Sequence, residues 1–94
     1  MEKAIQLKHE FIEKLPGIVH VDCSAKLQVV KSDDNHDFHN IISKFGDLTG
    51  FHVVLNTSFN INGEPIVCSP DDALTTFFNS GLEHLFIEGF YVTK

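Results

Sequence analysis

Asn56, Thr57, Ser58 and Asn60 crowd small polar side chains together directly after the apolar run Val53-Val54-Leu55. That run is rich in β-branched residues and follows Gly50 and Phe51, which predicts a short buried strand. Hydroxyls and carboxamides delivered at a strand's carboxyl end serve a core poorly, because each needs a partner once buried. They serve a ligand well, since in open α/β sheets ligands sit beyond the carboxyl ends of strands. Asn62-Gly63 predicts a turn, because both residue types tolerate positive φ. Pro65 fixes the exit, and Ile66-Val67 predicts a return to extended chain. The competing reading is a polar turn without a ligand, built of ordinary turn residues.

Other chemistry-bearing residues carry weaker signals. His20, Asp22, Cys23, His36, His39 and Cys68 are metal-ligand types. A structural zinc site needs four ligands at recognisable spacing, and these are scattered. Their plainer reading is ordinary strand, turn and helix-start residues. Nothing around Cys23 predicts a depressed thiol pKa, so it makes a poor nucleophile. Asp71 and Asp72 follow Ser69-Pro70, where carboxylates suit a helix start better than acid–base catalysis.

The chain's 94 residues fit one small domain, with 43% hydrophobic residues and nine phenylalanines for a core. Cys23 and Cys68 lack a disulfide-framework pattern and read as free thiols, and with no signal-peptide stretch the expected location is cytoplasmic. No apolar run approaches the roughly 20 residues of a membrane span. The formal charge is −6, arginine is absent, and the seven lysines do not cluster. This argues against nucleic acid as a partner, which needs a concentrated basic patch. It also leaves few cations to hold a triphosphate.

The elements expected to position the polar run follow from pattern. Residues 1–15 predict an amphipathic helix through Ala4, Ile5, Phe11, Ile12 and Leu15, ended by Pro16-Gly17. Ile18–Asp22 and Lys26–Lys31 predict two strands around a polar bend. Phe38, Ile41, Ile42 and Phe45 have the spacing of a buried helical face, with Gly46 as its stop. After the polar run, Ser69 predicts the cap of a helix over Ala73, Leu74, Phe77 and Phe78, closed by Asn79-Ser80-Gly81. Leu82–Glu88 and Phe90–Val92 predict strands turning at Gly89. The class is mixed α/β (α+β), with about three helices.

The run Asn56-Thr57-Ser58-Phe59-Asn60 with Gly63-Glu64-Pro65-Ile66-Val67 resembles the NTSFN-x-x-GEPIV signature in the C-terminal domain of the NodU/CmcH/TobZ O-carbamoyltransferases. His20 to Val30 resembles that family's HVDGTARVQTV, and Ser69-Pro70-Asp71-Asp72-Ala73 with Phe77 resembles its sPxDAxxxF. The likeness runs in order from about Leu15 to Lys94. It implies a YrdC/Sua5-like half domain with a mixed twisted sheet. It also implies the family's chemistry: carbamoyl phosphate and ATP with Mg²⁺ give carbamoyl-adenylate, and a Kae1-like metal-containing domain transfers the carbamoyl group to an acceptor hydroxyl. By resemblance, Ser58 and Asn60 would contact the nucleotide or carbamoyl-adenylate, Asn56 and Thr57 would support the loop, and Gly63 would allow close backbone approach. Lys26 stands where the family usually has an arginine that pairs with phosphate.

Two departures bear on that site. Lys26 keeps the charge of arginine but not its bidentate fork. Cys23-Ser24 replaces the family's Gly-Thr beside it. The upstream YrdC-like half, with the family's phosphate-holding cations, and the Kae1-like domain have no counterpart in these residues. The expectation is therefore a piece or remnant of a larger enzyme, inactive alone, with those segments as partners. A non-catalytic nucleotide-binding or protein-interaction module is the alternative, and a self-associating structural domain a third. The acceptor substrate is not written in this stretch.

Overall fold

The computed structural model describes residues 3–94. The chain divides into two compact units, Met1–Leu55 and Asn56–Lys94. Among the described residues, three α-helices accompany two small antiparallel sheets, each of two strands, so the mixed α/β class holds.

The first unit opens with strand β1 (Lys3–Gln6), not with the expected amphipathic helix. Met1 and Glu2 of that expected helix lie outside the described residues. Only α1 (His9–Ile12) is helical, followed by a 3₁₀ turn at Pro16–Ile18. The reason is local. Isolated helices of this length are marginal in water, and Pro16 biases Leu15 away from helical geometry. β1 instead pairs with β2 (Ser24–Leu27), in the register Lys3 to Leu27 and Gln6 to Ser24. Beyond the ladder, the Leu7 N–H donates to the Cys23 carbonyl at 3.1 Å.

The two strands expected at Ile18–Asp22 and Lys26–Lys31 reduce to β2 alone. His20 to Cys23 forms a turn closed by the Cys23 N–H on the His20 carbonyl at 2.9 Å. Asp22 Oδ1 accepts from both the Ser24 N–H (3.0 Å) and the Ser24 hydroxyl (2.6 Å). Cys23 sits at φ 63°, in the left-handed region. Ser24 and Ala25 are buried there.

Helix α2 (His36–Thr49) starts on Asn35, whose side-chain oxygen accepts from the Phe38 N–H at 3.0 Å. It runs through Gly46, the expected stop, to Gly50. Gly50 has the positive φ of a C-cap (83°), and its N–H closes onto the Gly46 carbonyl at 2.7 Å. Gly46 is buried, and a Cβ there would collide with the His52 imidazole. Phe38 and Ile42 are half-buried, whereas Ile41 and Phe45 are exposed.

Val53–Leu55 is not a strand. The composition suits one, but strand formation needs a neighbour, and nothing pairs with this run among the described residues. Val53 and Leu55 are exposed.

The second unit is built on α3 (Pro70–Phe78) and the hairpin of β3 (His84–Ile87) and β4 (Phe90–Thr93). The expected cap is present: Ser69 Oγ accepts from the Asp72 N–H at 3.1 Å, with Pro70 at the first helical position. Phe77 is fully buried and Ala73 nearly so. Burial of a phenylalanine contributes about 1.5–3 kcal/mol. Lys94 clasps the helix end, its Nζ donating to the Phe77 carbonyl (2.9 Å) and the Ser80 carbonyl (2.7 Å) and lying 4.8 Å from the Phe77 ring centre. A cation at these carbonyls also suits the helix dipole. On the hairpin, Phe86 faces Tyr91 across the ladder and stacks on it at 4.5 Å, and the Tyr91 hydroxyl lies 2.7 Å from His84 Nδ1.

Candidate functional site

The polar run opens the second unit as irregular chain. Asn56, Thr57 and Ser58 are exposed, and their side chains make no hydrogen bond among the described residues. The loop that follows is closed at its base by the Val67 N–H on the Phe59 carbonyl at 3.1 Å. Its tip is a turn from Ile61 to Glu64, in which the Glu64 N–H donates to the Ile61 carbonyl at 3.0 Å. Gly63 takes the third position at φ 87°, where a side chain would be strained. A Cβ at Gly63 would meet nothing within 4 Å, so backbone angle, and not crowding within the chain, explains this glycine.

Asn60 lies inside the loop, half-buried. Its carboxamide nitrogen donates to the Ile61 and Glu64 carbonyls, each at 3.1 Å. Two carbonyl partners fix which end of the carboxamide is nitrogen, and they use both of its N–H groups. The sequence pointed to Asn60 but not to this duty, which depends on where the carbonyls of the later turn come to lie.

Lys26 belongs to the first unit. It sits in β2 opposite Ala4, with an exposed side chain. That unit also holds an open groove of about 540 Å³, lined by Leu15, Ile18, Phe45, Phe51 and Val54 among others. Its mainly apolar walls suit packing, and none of Lys26, Asn56, Thr57, Ser58, Asn60 or Gly63 lines it.

Beyond the loop, Asp72 does more than start a helix. Its Oδ2 accepts from the Cys68 N–H (3.3 Å) and faces the Cys68 sulfur at 3.2 Å. The Cys68 and Ser69 hydrogen bonds hold the Asp72 carboxyl below the usual aspartate range. The same carboxylate pushes the Cys68 thiol up, the reverse of what a nucleophile needs. The Ser69-x-x-Asp72 spacing signals the cap in sequence; the thiol contact carries no such signal. In the first unit, the Ser24 hydroxyl and N–H likewise hold Asp22 low. Among the metal-ligand types, His36 Nε2 lies 3.2 Å from the Asn40 carboxamide nitrogen, and both cysteines are free.

A family described as carbamoyltransferase C-terminus matches residues 1–94, the whole chain. The chain belongs to that family. A protein of Methanocaldococcus jannaschii is 40% identical over 94 residues, all of this chain but 15% of that protein. Nodulation protein NolO of Bradyrhizobium diazoefficiens is 44% identical over 80 residues, 85% of this chain and 15% of its own length. The 3'-hydroxymethylcephem-O-carbamoyltransferase of Amycolatopsis lactamdurans is 32% identical over 73 residues, 78% of this chain and 14% of its own. This carbamoyltransferase C-terminal domain thus spans less than a fifth of the length of these relatives. No helix among its described residues is long and apolar enough to cross a membrane.

Proposed function

We propose that this domain is the C-terminal part of a carbamoyltransferase and contributes Asn56, Thr57 and Ser58 to an ATP or carbamoyl-adenylate site. The observation that carries the reading is the contrast within one signature. Asn60 and Gly63 are engaged in shaping the loop, while the three side chains before it are exposed and free to bond among the described residues. Membership of the carbamoyltransferase family supports the same reading.

The chemistry of those side chains is neutral. Two hydroxyls and one carboxamide can donate to and accept from a carbamoyl group, a ribose or a phosphate oxygen. They orient a ligand without neutralising it. From Asn56 to Lys94 the carboxylates are Glu64, Asp71, Asp72, Glu83 and Glu88, against the single cation Lys94. The Lys94 ammonium is already engaged by two carbonyls. Phosphate charge would therefore be met largely from elsewhere: an upstream YrdC-like half, with a Kae1-like domain or subunit for the transfer step. No three His, Cys, Asp or Glu side chains gather as a metal-holding group among the described residues. In this reading Mg²⁺ is held by the nucleotide's phosphates, and no step of this chain runs through it. ATP as substrate carries a cytoplasmic location with it.

The same acidity favours a second reading, a non-catalytic binding module that has lost polyphosphate affinity. An amide NMR titration with ATP–Mg²⁺ and then carbamoyl phosphate separates the two. The first reading expects shifts at Asn56, Thr57 and Ser58, with Lys26 read out separately, and their loss in Ser58→Ala. A flat titration on a well-dispersed spectrum overturns it.

A further inference from the structure

We propose that Asn60 is a positioning residue that sets the loop bearing Ser58, and that it does not donate to the ligand. The inference rests on the carbamoyl-adenylate reading above and reassigns one residue within it. Both carboxamide N–H groups face carbonyls, Ile61 and Glu64. A ligand contact through nitrogen would have to break one of these bonds. Only Oδ1 is left without a partner among the described residues.

What those bonds hold is specific. The Phe59–Val67 main-chain bond closes the loop's base, and the Ile61–Glu64 bond forms its tip. Asn60 ties the tip to the base, because its backbone adjoins Phe59 while its side chain grips Glu64. Ser58 is one peptide before Phe59, so fixing the base fixes where Ser58 leaves the loop. No regular strand precedes the run to order it from the other side. The loop itself is then the element that pre-organises the polar run, which lowers the cost of ordering it on a ligand.

The decisive variant is Asn60→Asp. It is nearly isosteric, but it replaces two donors with a carboxylate that can only accept, set against two carbonyls. Without ligand, amide exchange at Glu64 and Val67 should rise about tenfold or more relative to wild type, since two hydrogen bonds are lost. Amides of the β3–β4 hairpin should keep their protection. Asn60→Ala should rise less, because it removes the donors without adding repulsion, and it serves if Asn60→Asp does not fold. Ser58→Ala should leave Glu64 and Val67 exchange unchanged.

On titration with ATP–Mg²⁺, the Asn60 side-chain NH₂ signals should stay in place while Ser58 and Thr57 amides move. The affinity losses of Asn60→Asp and Ser58→Ala should be less than additive, as for a residue acting through the other. Unchanged exchange in both Asn60 variants overturns the proposal, as do NH₂ signals that track the ligand or fully additive losses. If wild type binds nothing, the carbamoyl-adenylate reading fails separately, and the exchange arm still decides whether Asn60 sets the loop.

Discussion

Replacing Cys23 with glycine should stabilise the chain, an unusual direction for a substitution in a turn. Cys23 lies at φ 63°, and for an L-residue the left-handed region costs roughly 1–2 kcal/mol. Glycine removes that cost but adds freedom to the unfolded chain, returning about 0.4–1 kcal/mol. Nothing else is lost. The side chain is exposed, and both main-chain bonds of Cys23, to His20 and from Leu7, survive the change. The net gain is about 0.5–1 kcal/mol, which for a domain of this size raises Tm by roughly 2–8 °C. Circular dichroism melts in reducing buffer measure it, and Cys23→Ala is the control. Alanine removes the thiol but keeps the Cβ, so it should leave Tm within a degree or two. Equal effects of the glycine and alanine variants would assign the change to the sulfur, and a fall in Tm with glycine would refute the strain argument outright. The same angle accounts for the glycine found at this position in the HVDGTARVQTV motif that the segment resembles.

Three further expectations concern α3 and the acidic residues. Ser69→Ala should cost about 1 kcal/mol, since Oγ takes the Asp72 N–H, while Ser69→Thr, which keeps the oxygen, should cost less; thermal melts compare them. Asp22 and Asp72 are both held below the ordinary aspartate value, so their ionised forms favour folding above about pH 4. That contribution is lost as the pH falls through the lower folded-state values. Denaturant melts across acid pH should show Asp22→Asn with Asp72→Asn less steeply destabilised than wild type; parallel curves would mean other carboxyls carry the dependence. Asp72→Asn should also speed Cys68 alkylation at pH 8, by relieving the carboxylate that raises its thiol.

The parts legible in sequence are those decided within a few residues. Ser69 caps its helix where its type and position said it would, and the Gly89 turn joins two strands as expected. Gly46 and Gly50 look alike as helix stops. Only the path of the chain, with His52 over one and positive φ at the other, tells them apart. Lys3–Gln6 and Val53–Leu55 were misread for a shared reason: whether an extended run becomes a strand depends on a partner distant in sequence. β1 finds one in β2, and Val53–Leu55 finds none among the described residues. For the site, the residue types of Asn56 to Gly63 were legible. The division between residues that build the loop and residues left exposed was not, because it turns on where the Ile61 and Glu64 carbonyls lie.

The aromatic stack on the hairpin makes this molecule its own optical probe. The chain has no tryptophan and one tyrosine, and that tyrosine lies in β4 against Phe86, within reach of His84. Emission excited near the tyrosine band therefore reports on a single β-turn-β element of the second unit and is blind to the first. A fluorescence melt and a circular dichroism melt follow different parts of this protein. Where they part company, the gap between them measures how independently the two units come undone.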